Sequence, residues 1–170
     1  MPSTPPVFGV TGYSNNGKTA LVRALIPALT GRGLRVATLK HAHHGFDLDQ
    51  PGKDSHEHRA AGARQVLVGS AKRWALIGEL GDGDPEPGMW DHIARLDACD
   101  LVLVEGYKRE SHPKLEVHRP SVGKPLLTGE IPNVVAIASD EAVPGVDVPV
   151  LNLNNADAVA DFILMHTGTG

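Results

Sequence analysis

The sequence has 170 residues, a length that suits one domain with a buried core. Its formal net charge of −4 excludes the strong basic field by which many proteins bind nucleic acid or membrane surfaces. The apolar runs are only as long as strands, and the first residues lack the basic and apolar regions of a signal peptide, so we expect a cytoplasmic protein that does not span a membrane. The single cysteine, Cys99, agrees with a reducing compartment.

The first element is a predicted strand over Val7–Thr11, and a G-x-x-x-x-G-K-[ST] motif follows it from Gly12 to Thr19. A helix is predicted from Lys18 to Leu29. A loop with this motif turns its backbone N–H groups around the phosphates of a nucleotide, its lysine reaches the β and γ phosphates, and its threonine hydroxyl ligates Mg²⁺. Because a strand precedes the motif and a helix follows it, we predict that the chain binds a nucleoside triphosphate.

The helix after the motif contains Pro27, which is expected to kink it or to divide it into two shorter pieces. Gly31 and Gly33 end that helix, and the next strand is predicted over 35–39. These elements form a β-loop-α-β unit with a right-handed crossover.

A polar segment from Lys40 to Arg59 is predicted as a loop that enters a helix capped near Asp54 or Ser55. Loops at the carboxyl ends of parallel strands bind ligands in open α/β sheets, so we expect this loop to face the phosphates. Asp47 or Asp49 could then complete Mg²⁺ coordination or position a water molecule. Lys40 is a candidate for neutralising phosphate charge.

Histidines are frequent in and after this loop, at His41, His43, His44, His56 and His58. Imidazole suits zinc and nickel, so a metal site is one interpretation. No cysteine accompanies the histidines, and their spacing alone fixes no tetrahedral site. Contacts with phosphate, with a partner or with solvent are therefore the favoured interpretation.

Two short strands, 65–69 and 73–77, are joined by a tight connection and predict an antiparallel hairpin at a sheet edge. A helix over 89–96 leads to a strand over 100–105, whose apolar run indicates burial on both faces in a parallel sheet. That strand ends in Glu105, at the place where P-loop proteins usually hold an acid for Mg²⁺. We therefore assign Glu105 to the metal side of the site.

The last third of the chain predicts strands over 114–118, 133–138 and 148–153 and a helix over 155–166. Residues 1–6 and 167–170 are expected to be disordered. The Asn-Lys-x-Asp motif of many GTPases is absent. Asp140 follows a predicted strand at the point in the chain where that motif would be expected, and it could accept hydrogen bonds from guanine N1–H and N2–H. Asn152 lies at the end of the next predicted strand and is a second candidate.

Together, the elements predict an α/β chain with a three-layer P-loop NTPase fold, in which a mostly parallel sheet carries helices on both faces and an antiparallel edge hairpin. We expect one nucleotide-binding domain over residues 1–170. The candidate nucleotide-binding residues are Gly12, Tyr13, Ser14, Asn15, Asn16, Gly17, Lys18, Thr19, Ala20, Lys40, Asp140 and Asn152. The candidate catalytic residues are Lys18, Asp47 and Glu105, and the candidate metal ligands are Thr19, Asp47 and Glu105.

Several segments together resemble the molybdopterin-guanine dinucleotide biosynthesis protein B family. They are the P-loop from Gly12 to Thr19, the run from Thr38 to Ser55, the Arg73-Trp-Ala-Leu segment, and the strand end Val102-Leu-Val-Glu-Gly-Tyr-Lys108. Gly45 departs from the pattern, which has an acid there. The resemblance covers nearly the whole chain from Val7 to about Phe162.

The resemblance implies a dimeric adaptor that binds GTP and Mg²⁺ and has weak GTPase activity. Its partners would be the guanylyltransferase that joins GMP to molybdopterin, and the protein that inserts molybdenum. The unpaired hairpin edge independently favours a homodimer. A P-loop kinase acting on a small molecule and a GTPase that delivers metal through its histidines remain alternatives.

Overall fold

The computed structural model describes residues 4–42 and 45–169. It divides into two compact units, one made of Met1–His41 with Met89–Gly170 and the other of Ala42–Gly88. The strands are β1 (Val7–Thr11), β2 (Val36–Lys40), β3 (Gln65–Gly69), β4 (Trp74–Gly78), β5 (Leu101–Glu105), β6 (Lys114–His118), β7 (Val134–Ser139) and β8 (Val150–Asn152). The helices are α1 (Lys18–Thr30), α2 (Asp54–Ala60), α3 (Met89–Ile93) and α4 (Ala156–Thr167).

The larger unit is built on a six-stranded sheet in the order β2-β5-β1-β6-β7-β8. Every neighbouring pair in it is parallel. The mostly parallel sheet predicted from the sequence is therefore confirmed. Since parallel strands end at one edge, the loops after β1, β5, β6, β7 and β8 all leave the sheet on the same side, where such sheets bind ligands.

Helices cover both faces of this sheet, as the three-layer prediction requires. On one face, the buried leucines of α1 pack with Val159, Ala160 and Ile163 of α4 against Phe8 and Val10. On the other face, Met89 and Ile93 of α3 pack against Val7, Val102 and Val104. The alternation of side chains along β1 and β5 thus supplies both layers of the core.

Helix α1 is a single helix of 13 residues with Pro27 inside it, so of the two alternatives for Pro27 the division into two shorter pieces is wrong. Pro27 lies in the last turn, where the helix is about to end. The Gly31 N–H still bonds to the Pro27 carbonyl at 2.9 Å. A proline there disturbs little of the helix that follows the phosphate-binding motif.

The smaller unit contains the loop before α2, the helix itself and the β3-β4 hairpin. The hairpin is antiparallel, as predicted, with Leu67 opposite Leu76. It forms a two-stranded sheet of its own, so its placement at the edge of the main sheet is wrong. Within this unit Arg59 binds the carboxylates of Asp47 at 2.9 Å and Glu79 at 2.6 Å, and so fastens the loop to the hairpin.

Of the chain ends expected to be disordered, residues 1–3 and 170 lie outside the described part. Thr167 is the last residue of α4, and its hydroxyl donates to the Ile163 carbonyl at 2.9 Å. In the described ranges, none of the helices combines the length and the apolar character needed to cross a bilayer.

Candidate functional site

The loop after β1 depends on residues with left-handed backbone conformations. Gly12 has φ 139°, Asn15 has φ 69° and Gly17 has φ 96°. A Cβ on Gly12 would lie 2.4 Å from the Val117 carbonyl oxygen, so only glycine fits where the loop leaves β1. These conformations make the compact turn between β1 and α1 that the motif predicted.

The loop is held from beneath by the strand next to β1. The Asn16 side chain is buried, and its amide nitrogen donates to the Val117 carbonyl at 2.9 Å. Arg119, the residue directly after β6, donates from Nε to the Asn16 carbonyl at 3.1 Å. The tip, in contrast, is open, with Ser14 and Asn15 exposed. A loop fixed below and open above is suited to bind an anion with its backbone N–H groups.

Lys18 opens α1, and its ammonium donates to the Tyr13 carbonyl across the loop at 2.9 Å. Burial lowers the pKa of Lys18; the Glu105 charge acts in the opposite direction, and the charges of Lys40 and Lys108 lower the pKa further. The first turn of α1 contains no acid. The positive potential of the helix N-terminus is therefore not offset within that turn, and it adds to the lysine charge.

Two of the three predicted metal ligands, Thr19 and Glu105, lie close together near the carboxyl ends of β1, β2 and β5. In the sheet register, Glu105 lies between Val10 and Lys40. The Thr19 hydroxyl donates to Glu105 Oε1 at 3.4 Å, and Lys40 Nζ lies 4.0 Å from the same oxygen. A hydroxyl and a carboxylate are the hard oxygen donors that Mg²⁺ prefers, so Thr19 and Glu105 fit that ion.

On the other side of β1, the ends of β6, β7 and β8 are aligned. His118 pairs in register with Ser139, and Ser139 pairs with Asn152. Asp140, the next residue after β7, forms an ion pair with Arg119. The Asn152 side-chain oxygen accepts from the Asn154 N–H at 2.9 Å. The two residues assigned to the base thus lie at the same edge of the sheet as the loop.

Asp47 belongs to the smaller unit, where its carboxylate accepts from the Asp49 N–H and from Arg59, each at 2.9 Å. These bonds, the backbone one first, lower its pKa. Its assignment to catalysis and to the metal stays a prediction. Two residues of the histidine cluster, His43 and His44, lie outside the described residues. Elsewhere in the described ranges, no group of three or more His, Cys, Asp or Glu side chains is placed to hold a metal.

Sequence reasoning missed Arg119. No motif marks it, and its partners Asn16 and Asp140 are distant along the chain. The one available signal was its position directly after the predicted strand over 114–118, at the carboxyl edge of the sheet.

Comparisons with known proteins agree with this architecture. The family model of molybdopterin guanine dinucleotide synthesis protein B matches residues 7–140. A molybdopterin-guanine dinucleotide biosynthesis adapter protein from Escherichia coli is 41% identical over 162 residues, which is 94% of this chain and 91% of that protein. A protein of the same description from Haemophilus influenzae is 40% identical, over 93% of this chain and 87% of its own length.

Among solved structures, a MobB protein homolog from Bacillus stearothermophilus superimposes with a TM-score of 0.70 at 27% identity, over 96% of this chain and 99% of that chain. The family model spans most of the chain, including β1, the P-loop, Glu105 and Asp140. The chain therefore belongs to the molybdopterin guanine dinucleotide synthesis protein B family.

Proposed function

We propose that this protein binds GTP with Mg²⁺ at the loop from Gly12 to Thr19, hydrolyses it slowly, and acts as an adaptor in the guanylylation of molybdopterin. The observation that supports this best is the joint placement of Lys18, Thr19 and Glu105 at the carboxyl edge of the sheet. The description of the relatives as adapter proteins of molybdopterin-guanine dinucleotide biosynthesis supports the biological role.

Each side chain has a task in this proposal. Backbone N–H groups of the loop and the Lys18 ammonium bind the phosphates, which requires the ammonium to leave the Tyr13 carbonyl. Thr19 and Glu105 would hold the Mg²⁺ ion, which when bound neutralises phosphate charge. We also propose that Asp47, a residue of the smaller unit, positions water.

The adaptor role requires partners, and we propose two. The first is the guanylyltransferase that joins GMP to molybdopterin, and the second is the protein that inserts molybdenum. We place the protein in the cytoplasm, where its single cysteine would remain a thiol, as it is here.

The test is a guanylylation assay with purified transferase, molybdopterin and GTP, with and without this protein. We expect the protein to raise the yield of dinucleotide, and the Lys18→Ala variant to give less than the wild type. Equal yields with wild type, variant and no addition would overturn the adaptor proposal. Dinucleotide formation by this protein without the transferase would overturn it as well.

We also propose that two copies of the chain associate through the β3-β4 hairpin. One face of the hairpin exposes three large apolar side chains, Leu67 by 67%, Trp74 by 58% and Leu76 by 48%. An exposed apolar face on a two-stranded sheet with open edges is a surface that a second copy could cover in a self-complementary way.

Sedimentation equilibrium tests this association. We expect a dimer for the wild type and a monomer for Leu67→Lys. The control is Leu48→Lys, which alters another exposed leucine of the smaller unit and should leave the dimer intact. A monomeric wild type would contradict the proposal.

A further inference from the structure

Arg119 lies between the P-loop and Asp140 and bonds to both. Its Nε donates to the Asn16 carbonyl at 3.1 Å, and its Nη1 donates to Oδ2 of Asp140. The guanidinium also lies under the loop, since a Cβ on Gly17 would be 3.4 Å from Arg119 Nε. One rigid, planar group therefore joins the backbone of the phosphate loop to a carboxylate after β7.

The second carboxylate oxygen of Asp140, Oδ1, differs from Oδ2 in its hydrogen bonding. Oδ1 is buried and, among the described residues, has no hydrogen-bond donor. Two further buried atoms at this edge lack partners in the same part of the chain, Oδ1 of Asn16 and Nδ1 of His118. Because buried polar atoms are normally paired, an acceptor in this state is a candidate to receive a donor from a ligand or from water.

We propose that Arg119 is a positioning residue that couples the phosphate loop to base selection; this inference rests on the GTP-binding function proposed above. Arg119 holds Oδ2 of Asp140 and thereby fixes which oxygen remains for a base. Guanine carries adjacent N–H donors at N1 and N2 that can both point to Oδ1, whereas adenine has an acceptor at N1, no donor at C2, and its amino donor only at N6. The bond from Arg119 Nε to the Asn16 carbonyl fixes the position of the phosphate loop relative to Oδ1 of Asp140. The phosphates and the base of one nucleotide are thereby positioned together.

Lysine cannot replace arginine in this role. A guanidinium holds Nε and Nη1 in a fixed plane, so two acceptors are bound at a defined separation. A lysine ammonium keeps the positive charge but is a single point on a flexible chain. The substitution Arg119→Lys therefore separates the charge of residue 119 from its geometry.

The experiment measures the affinities of GTP and ATP with Mg²⁺ by calorimetry, and the readout is their ratio. We expect the wild type to prefer GTP by about tenfold or more, and Arg119→Ala to reduce the preference to less than about threefold. Relative to Arg119→Ala, Arg119→Lys should raise the affinity for both nucleotides but should not restore the preference for GTP over ATP. Recovery of the full preference by lysine would show that only charge matters and would overturn the proposal.

A matched control is available at the other end of the sheet. Arg35 also pairs with an aspartate, Asp100, at 2.7 Å, but it precedes β2 and lies far from the loop. Arg35→Ala should leave the ratio of GTP to ATP affinity unchanged. Thermal unfolding of each variant shows whether it is folded at the temperature of the titration.

A double-mutant cycle gives the sharpest answer. If Arg119 acts through Asp140, Arg119→Ala and Asp140→Ala should each remove the preference, and the double variant should lose no more than either one. Additive losses, or an Arg119→Ala variant that weakens both nucleotides equally, would overturn the inference while leaving GTP binding in place. Failure of the wild type to bind GTP would instead overturn the proposed function, and the inference with it.

Discussion

Lys18 is the residue on which the proposed nucleotide binding would depend most directly. In the structure its ammonium bonds to the Tyr13 carbonyl across the loop, a bond that it would exchange for phosphate oxygens when a nucleotide binds. We expect Lys18→Ala to weaken triphosphate binding by about 3 kcal/mol or more, since each charge-assisted hydrogen bond contributes about 1.5–3 kcal/mol. Calorimetry with GTP measures the loss, and Lys72→Ala, an exposed lysine of the hairpin connection, is the control. An unchanged affinity would contradict the P-loop assignment.

Glu105 is assigned to the metal, and its replacement should affect hydrolysis more than binding. The Glu105→Gln substitution preserves the size of the side chain but removes the charge that faces Thr19 and Lys40. We expect the Mg²⁺-dependent rate of GTP hydrolysis to fall by a larger factor than the affinity does. Single-turnover phosphate release and titration on the same sample compare the two. Equal losses would mean that Glu105 has another role.

His112 gives the larger unit a sensitivity to acid. The side chain is 4% exposed, and burial, with a smaller effect from Lys114, lowers its pKa to about 4. Its unfolded pKa is near 6.5, so the unfolded state binds more protons between these values and stability falls as the pH falls. From about pH 7.5 to about pH 5 the loss should be about 2 kcal/mol.

Urea unfolding of the wild type and of His112→Leu at both pH values measures this contribution. The variant should lose less stability on acidification than the wild type, by about the same 2 kcal/mol. His58→Leu, at an exposed position of α2, should behave as the wild type does. A wild-type stability that is the same at both pH values would contradict a buried neutral His112.

At the scale of the element, β6 is the strand whose environment the sequence misrepresents. Its alternation of Lys114, Leu115, Glu116, Val117 and His118 suggests a half-exposed strand, yet all five residues are buried. The Lys114 ammonium donates to three carbonyls, of Glu110, His112 and Pro132. Lys114 remains stable inside the sheet because the surrounding loops supply partners for its ammonium.

Glu116 is the clearest case in β6. Its carboxylate is fully buried and accepts from the Leu127 and Thr128 N–H groups, each at 2.8 Å, and from the Thr128 hydroxyl at 2.7 Å. Glu116→Gln would turn a donor toward these donors, so we expect a loss of about 2–4 kcal/mol in the free energy of unfolding. Urea denaturation measures it, with the exposed Glu130→Gln as control. A loss no larger than that of the control would contradict the account of this strand.

The difference between what could and could not be predicted follows from distance along the chain. The phosphate loop is local, because the glycines, Lys18 and Thr19 lie within one turn between a strand and a helix. The apolar run that ends in Glu105 is local as well, and it was sufficient to predict a buried parallel strand with Glu105 at its end. The partners of Arg119 and Glu116 come from distant segments, and the burial of β6 follows from its central position in the sheet. No pattern within a short stretch of sequence encodes such contacts.

At the scale of the whole molecule, the parallel sheet places the phosphate loop, Glu105 and the Arg119–Asp140 pair at the same edge. The pair lies on one side of β1 and Glu105 on the other, so a nucleotide on the loop would have its metal on one side and its base on the other. The smaller unit contains the β3-β4 hairpin, to which we assign self-association. We thus propose that the carboxyl edge of the main sheet binds and selects GTP, and that the β3-β4 hairpin forms the dimer contact.

The most direct test is a calorimetric comparison of GTP and ATP, each with Mg²⁺, on the same wild-type sample. We expect both nucleotides to bind and GTP to bind at least about tenfold more tightly than ATP, a difference of about 1.4 kcal/mol or more. Equal affinities, or tighter binding of ATP, would contradict the guanine-selecting role of Asp140 and favour a P-loop kinase. The absence of binding by either nucleotide would contradict the site itself.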